Sequence, residues 1–129
     1  MNCTKLKSIK LPNTAKTLGY SLFYNCSLLS EIELPQSLTK VEYSAFAKCT
    51  GLSVIDFPES IASMANWVTQ SCNCKIIFRR STVPSGVTAS EGSRNWGSGN
   101  IYVPDESVDL YKSTWSNLSS RIYPISQLP

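Results

Sequence analysis

The chain has 129 residues, of which 42% are hydrophobic and 16% charged, and a net charge of +3. Length and composition together predict one folded domain rather than a disordered chain. The positive charges are spread along the sequence without a basic stripe, which argues against a dedicated nucleic-acid binder. The chain has no histidine, which excludes Ser-His-Asp and Cys-His catalytic arrangements and histidine metal sites.

A 23-residue period organises the chain from its first residues. Three units contain Cys-x-x-Leu-x-x-Ile-x-(Leu/Phe)-Pro, as in NCSLLSEIELP at 25–35. The residues that recur at this interval include Cys3, Cys26, Cys49 and Cys72, and the series Ile9, Ile32, Ile55, Phe78 and Ile101. A fixed period of this length predicts a solenoid of stacked coils.

Each unit divides into a strand and a return. Ile-x-Leu-Pro alternates apolar and polar residues, which predicts a short half-buried strand that the proline ends. The second half, QSLTKVEYSAFAK at 36–48, predicts a helical or 3₁₀ return that starts near Ser37 or Thr39. Stacking the coils then buries their apolar sides along one narrow parallel sheet.

The fourth unit departs from this pattern. It starts at Cys72, carries Lys75 where leucine is expected, and continues into a loop rich in glycine and serine at 80–100. We expect this loop to be irregular. Ile101 falls two periods beyond Ile55, so the stack should resume after the loop. The predicted boundaries are repeats at 3–25, 26–48 and 49–71, an irregular unit at 72–98 and a C-terminal cap at 99–129.

The cap is predicted to contain a helix that closes the open end of the core. Asp105 is positioned to cap this helix, and RIYPI at 121–125 should add a last short strand. The residues at helical spacing on one face are Val108, Tyr111, Trp115 and Leu118. The N-terminal end has no comparable cover, which predicts that an upstream segment was removed or that a partner sits there.

The cysteines at the 23-residue interval should face the interior. We predict buried free thiols for Cys3, Cys26 and Cys49. Cys72 and Cys74 form a C-x-C for which a redox or metal role stays open, but no second pair is present to complete a zinc site. We predict no metal and no cofactor.

The repeats resemble a known family. SAFAKCTGL at 44–52 and SLFYNCSLL at 21–29 are similar to the BspA-like, or Treponema-type, leucine-rich repeats, whose unit ends in Ala-Phe before the next cysteine. The segment at 101–125 resembles the C-terminal cap of gut-bacterial members. The resemblance implies an α/β repeat solenoid, in which a short right-handed leucine-rich-repeat coil carries one narrow parallel sheet, helical or 3₁₀ returns and a helical cap.

The outward strand positions are the candidate binding residues. Between the isoleucine and leucine positions, successive units carry Lys10, Glu33, Asp56, Arg79 and Tyr102, and two positions earlier the second unit carries Glu31. We expect Lys10 to pair with Glu33, and Asp56 with Arg79, across strands. The alternative is a solvated face whose charges only prevent aggregation. Trp96, in SRNWGSGN, is the other candidate, as an exposed loop aromatic, whereas Trp67 is predicted to fill the core.

These observations predict a non-catalytic binding module, not an enzyme. The family resemblance implies a bacterial surface or secreted adhesin that recognises host protein, matrix or another cell, with a glycan as an alternative ligand. An alternative function is a structural subunit that assembles through its open N-terminal end. No apolar run is long enough to span a membrane, and the N-terminal segment has no signal-peptide core. We therefore predict an extracellular or surface protein whose signal peptide has been removed, without membrane insertion.

Overall fold

The computed structural model describes residues 3–87 and 96–129. The predicted irregular unit at 72–98 therefore lies partly outside the described residues, at 88–95. The strands are β1 (Ser8–Lys10), β2 (Thr17–Leu18), β3 (Glu31–Glu33), β4 (Lys40–Val41), β5 (Val54–Phe57), β6 (Ser63–Met64), β7 (Lys75–Phe78), β8 (Ile101–Val103) and β9 (Ile122–Pro124). β1 pairs with β3, and β5, β7, β8 and β9 form a four-stranded sheet, all in parallel. This arrangement confirms the predicted stack of parallel strands.

The strands form where the predicted alternation of residues places them. In β5, Ile55 and Phe57 are buried while Val54 and Asp56 are exposed, because successive side chains of a strand point to opposite faces. Pro58 follows at once and lacks the N–H group that a longer ladder would need. The sheet face turned inward therefore carries the recurring apolar residues, and the outward face carries the variable ones.

The fourth coil enters the sheet two positions early. Ile55 pairs with Ile76, which falls two positions short of a full repeat period, and Ile76 pairs with Ile101, which falls two positions beyond one. The two steps together equal two periods, so the stack resumes at Ile101 as predicted. The predicted alignment of Phe78 with Ile55 is wrong, because Phe78 pairs with Phe57.

The returns differ from the predicted helical or 3₁₀ segments. β2, β4 and β6 form a separate parallel sheet of three strands, and consecutive turns follow each of them. The hydroxyl of Ser37 donates to the Ala15 carbonyl at 2.6 Å and that of Thr39 donates to the Lys16 carbonyl at 3.1 Å. These side chains therefore join neighbouring coils instead of capping a helix.

Residues in the left-handed conformation explain why the returns are not helices. One series comprises Ser21, Ser44 and Trp67, and the other Asn25, Lys48 and Ser71, with φ between 53° and 65°. A left-handed residue interrupts the run of right-handed residues that a helix requires. The backbone N–H of Phe23 donates to Ala45, and that of Phe46 to Val68, both at 2.8 Å. Backbone N–H groups that would donate within a helix therefore donate to carbonyl groups of the next coil.

The core runs through all coils as stacked equivalent residues. The ring of Phe23 stacks on Phe46 with centroids 5.5 Å apart, and Phe57 stacks on Phe78 at 5.3 Å. The buried aliphatic residues between them include Leu18, Leu29, Leu38, Val41, Leu52, Ile61, Met64 and Val68. Burying each large side chain contributes about 1.5–3 kcal/mol, so the stack of coils, rather than any one coil, holds the fold together.

The cysteine ladder has a repeated hydrogen bond. Cys49 Sγ donates to the Phe23 carbonyl at 2.9 Å, and Cys72 Sγ to the Phe46 carbonyl at 3.1 Å. Burial raises the pKa of Cys49 to about 12, which keeps this thiol neutral. The predicted interior role of the recurring thiols is therefore confirmed for Cys49, and Cys26 is buried in the same way.

The first cysteine departs from the ladder. Cys3 is exposed, so its predicted burial is wrong. Its coil is covered on one side only within the described residues, since β1 pairs with β3 alone. All five cysteines are reduced, with no disulfide among them.

The C-terminal cap closes the core as predicted. It comprises 3₁₀ turns at Asp105–Ser107, Ser116–Arg121 and Ile125–Gln127, helix α1 (Val108–Thr114) and strand β9. Tyr111, Trp115 and Leu118 are buried against the stack, and Val108 packs partly buried beside them. Asp105 makes no capping bond and instead accepts a hydrogen bond from the Ser126 N–H at 3.0 Å, so its predicted capping role is wrong. In the described ranges, no helix has the length and apolarity needed to cross a membrane.

Candidate binding surface

The outward side chains of the first three coils form the exposed face that the sequence predicts. Lys10, Glu31, Glu33 and Asp56 are all exposed. We define the strand face by these residues together with Ser8, Val54 and Arg79. It lies opposite the core on short parallel strands, so hydrogen-bonded backbone holds its side chains in fixed rows.

The row of the strand face that contains Asp56 ends at the fourth coil, whereas Lys75 is still exposed opposite Val54. The residue opposite Asp56 is Ile77, and the residue opposite Ile77 is Tyr102. Both side chains are buried, and the ring of Tyr102 packs 5.9 Å from that of Tyr123 in the cap. The prediction that Tyr102 is an exposed binding residue is therefore wrong, because the cap continues the sheet and packs against it.

Arg79 lies one residue after β7 and still reaches the strand face. Its Nε donates to Asp56 Oδ1 at 3.0 Å and its Nη2 to Oδ2 at 2.8 Å. The predicted Asp56–Arg79 pair is therefore confirmed, although Arg79 is not at the predicted strand position. The hydrogen bond to Asp56 raises the pKa of Arg79. An exposed pair contributes less than about 1 kcal/mol, so its main effect is to fix Arg79 and neutralise Asp56.

The second predicted pair does not form. Lys10 and Glu33 are partners in register, but the ion pairs among residues 3–87 and 96–129 do not include one between them. Glu31 and Glu33 likewise have no side-chain hydrogen bond in the described chain. These carboxylates therefore face solvent without a cationic partner.

A groove lies between β3 and β5, where the sheet is interrupted. Among the described residues no ladder joins these two strands. The groove has a volume of about 670 Å³ and is lined by Ile32, Glu33, Leu34, Gln36, Asp56, Glu59 and Arg79. A shallower groove of about 270 Å³ continues from Glu33 toward Lys10 and Glu31. Glu31, Glu33, Asp56 and Arg79 thus border one connected depression.

Gln36 and Glu59 belong to this groove but were not predicted from the sequence. Each directly follows the proline that ends its strand, and the two are separated by one full repeat period. The same interval that marks the outward strand positions therefore marks this row as well. The 23-residue interval, followed one position past the proline, would have predicted both residues.

The structure reverses the predicted roles of two tryptophans. Trp96 is 0% exposed and its ring lies 5.3 Å from Phe78 and 5.4 Å from Trp115. The prediction of an exposed binding aromatic at Trp96 is wrong, because the chain after the loop carries its side chain into the core beneath the cap. Trp67, predicted to fill the core, is 38% exposed.

The C-x-C motif is buried in the fourth coil. The neighbouring Cys74 thiol, together with burial, raises the pKa of Cys72, whereas the Cys72 thiol lowers the pKa of Cys74 against the opposing effect of burial. In the part of the chain that the structure describes, no cluster of three or more His, Cys, Asp or Glu side chains is arranged to hold a metal ion.

Comparison with family models decides the relationship that the repeats suggest. The model of the BspA type leucine rich repeat region (6 copies) matches residues 1–89, which is more than half of the chain. The chain belongs to the BspA-type leucine-rich-repeat family. Proteins of this family are generally interaction and adhesion modules and are typically surface or secreted bacterial proteins. No curated protein matches the chain.

Two solved structures share the fold of this BspA-type domain. The leucine-rich-repeat protein TpLRR of T. pallidum is 27% identical with a TM-score of 0.68, and the match covers 80% of this chain and 47% of that one. A leucine-rich-repeat protein from Bacteroides ovatus ATCC 8483 is 20% identical with a TM-score of 0.66, covering 96% of this chain and 31% of that one. The BspA-type domain therefore spans less than half the length of either.

Proposed function

We propose that this BspA-type domain is a non-catalytic protein-recognition module that binds its partner in the groove of the strand face. The observation that carries the proposal is the groove between β3 and β5, about 670 Å³ in volume. It combines apolar contact area from the half-buried Ile32 with carboxylates at Glu33 and Glu59 that have no ionic partner in the described chain. Repeat proteins use such extended surfaces for binding.

The charges of the groove favour a partner segment that carries lysine or arginine. Asp56 is neutralised by Arg79, so Glu33 and Glu59 remain to attract a cation. Charge complementarity of this kind raises association rates and rejects partners of the wrong charge. A guanidinium or ammonium group between the two glutamates would leave its aliphatic stem against the apolar lining.

The family supports an adhesin setting for this surface. BspA-type proteins are typically surface or secreted, so we place the domain outside the cell and propose a host protein, matrix or a neighbouring cell as its target. Single contacts on such a face are weak, and several copies of the domain would raise the apparent affinity. A glycan is the alternative ligand for the same face.

Titration with matched peptides tests the proposal. The probes are an extended peptide with alternating lysines and the same peptide with glutamines, measured by calorimetry. We expect the lysine peptide alone to bind, more weakly as salt is added, and the double variant E33Q/E59Q to lose about 10-fold in affinity. The control E106Q/D109N removes two exposed carboxylates from the cap, which is the same change of charge, and should bind like the wild type. Equal binding of both peptides, or full affinity in E33Q/E59Q, would contradict the proposal.

A second candidate function is assembly through the N-terminal end of the solenoid. Cys3, Thr4, Lys5 and Leu6 form an open, largely apolar surface there, and Leu6 packs partly exposed on the core. Light scattering over a wide concentration range tests it. Assembly predicts a mass that rises with concentration and falls back to the monomer in L6K, whereas a constant monomer mass rejects this candidate.

A further inference from the structure

The first two cysteines of the chain occupy equivalent places in neighbouring coils. Cys3 and Cys26 are one repeat period apart, and the strands that follow them, β1 and β3, pair with the same interval. Each cysteine carbonyl accepts a hydrogen bond from the backbone N–H three residues later, which is that of Leu6 in the first coil and Leu29 in the second, both at 3.1 Å. The two turns therefore have the same geometry, and Cys3 stacks on Cys26.

The stacking distance suits a disulfide bond between these two residues. Neighbouring strands of a sheet lie about 4.8 Å apart, and the Cα atoms of a disulfide lie about 4.4–6.8 Å apart. The Cys26 thiol hydrogen-bonds to both the thiol and the main chain of Cys3. The two sulfur atoms are therefore close enough to be joined with little movement of the backbone.

Exposure distinguishes this pair from the other cysteines. Cys3 is exposed, whereas Cys26 and the three later cysteines are buried. The thiols of Cys49 and Cys72 donate to carbonyls of the preceding coil at 2.9 and 3.1 Å, while Cys26 Sγ lies 4.0 Å from the Tyr24 carbonyl of its own coil. An accessible thiol beside a second thiol is the arrangement of a redox-active pair, in which the first reacts with the oxidant and the second resolves the product.

We propose that Cys3 and Cys26 are a redox-active pair that a low-molecular-weight disulfide, such as oxidised glutathione, converts to an intramolecular disulfide. The Cys3 thiolate attacks one sulfur of the reagent, whose S–S bond breaks, so that a mixed disulfide forms on Cys3 and one glutathione thiolate leaves. Cys26 then loses its proton to solvent and attacks Cys3 Sγ, and the second glutathione leaves. Two protein thiols are thereby oxidised, and one oxidised glutathione is reduced to two glutathiones.

The disulfide fastens the coil that the rest of the solenoid holds least. In the described chain β1 pairs with β3 alone, and a coil held on one side opens more easily than one held on both. The N–H of Leu6 donates within the first coil and that of Ser30 donates to Lys7 of that coil at 2.9 Å. Hydrogen exchange at these two amides should be at least about 10-fold slower in the oxidised protein, and Tm should rise by about 5–10 °C.

Intact mass and peptide mapping test the pairing in the wild-type chain. Incubation with oxidised glutathione should remove the mass of two hydrogen atoms without lasting addition of glutathione. Cleavage after lysine should then release peptides 1–5 and 17–40, which contain Cys3 and Cys26, joined by a disulfide. A mixed disulfide that persists on Cys3, or a dimer linked through Cys3 of two chains, overturns the proposal.

Variants assign the two steps of the reaction. In C26S, which keeps the attacking thiol, the mixed disulfide should persist on Cys3, whereas C3S should not react with the reagent. The control C49S removes the next cysteine of the ladder and should give the same joined peptides as the wild type. Loss of the mixed disulfide from C26S would show that another thiol resolves it and would refute the assignment of Cys26. Equal exchange at Leu6 and Ser30 in the oxidised and reduced wild type would refute the fastening of the first coil.

Discussion

Replacing Tyr111 with phenylalanine tests how the cap is fastened to the solenoid. The Tyr111 ring is buried, and its hydroxyl donates to the Arg80 carbonyl at 2.7 Å with the Thr82 carbonyl 3.1 Å away. Phenylalanine keeps the packing but leaves a carbonyl of the fourth coil without its donor. A hydrogen bond of this kind contributes about 1–2 kcal/mol, which for a chain of 129 residues lowers Tm by about 3–8 °C.

The assay is urea unfolding followed by circular dichroism, with hydrogen exchange to locate the effect. Exchange should accelerate first in the amides around the Arg80 segment and the cap, because a terminal unit of a repeat protein opens locally. The control Tyr20→Phe removes a hydroxyl from a side chain that is 70% exposed and should change stability by less than about 0.5 kcal/mol.

The pH dependence of the same variant supplies a second signature. Burial raises the pKa of Tyr111 above its ordinary value of 10.0. The folded protein therefore keeps this proton to a higher pH than the unfolded chain, so the stabilisation is fully present below pH 10.0 and is lost as pH rises beyond it. The difference between wild type and Y111F should shrink above this pH. A Y111F protein as stable as the wild type, or a difference that stays constant with pH, would refute the reasoning.

Three further outcomes follow from the structure. W67S should lower the free energy of unfolding by about 1 kcal/mol, because serine keeps the left-handed backbone of this position and loses the packing of the ring on Tyr43; an unchanged urea transition would contradict this. Alkylation of the native chain, read by intact mass, should modify Cys3 alone because the other four cysteines are buried; C3S should take up no label, and a second label in the native wild type would count against the structure. The hydrogen bond from Ser126 lowers the pKa of Asp105 below 3.8, so the stability that the Asp105 carboxylate contributes is lost as pH falls through its folded-state pKa. D105N should therefore lose less stability than the wild type on acidification. An acid unfolding transition that is the same in both proteins would contradict this.

The sequence determines the coil more clearly than its register. Alternation with a fixed period places Ile55 inside and Asp56 outside, because one strand geometry recurs in every unit. In the fourth coil the residues Ile76, Ile77 and Phe78 are all apolar, so the alternation of apolar and polar residues does not show which of them point into the core. The shift by two positions that brings Ile76 opposite Ile55 therefore cannot be predicted from the pattern of apolar and polar residues.

The candidate binding residues were likewise predictable only where the strands keep the 23-residue period. Lys10, Glu31, Glu33 and Asp56 were predictable as exposed because their strands keep the period. The burial of Trp96 was not predictable. The glycine and serine residues around it indicate a loop, but they do not show whether its side chain points into the core. The left-handed residues of the returns were also invisible, because hydrogen bonds between coils, and not local propensity, stabilise that conformation.

The short step from Ile55 to Ile76 and the long step from Ile76 to Ile101 limit how this solenoid can be cut and rejoined. A coil that keeps the common length is an interchangeable module, since the ladder before it and after it is unchanged by duplication or removal. The stretch from Ile55 to Ile101 is not of this kind, because its shortened first step is compensated only by its lengthened second step. It behaves as a single cassette two coils long, and chimeras of this protein should have their junctions outside it.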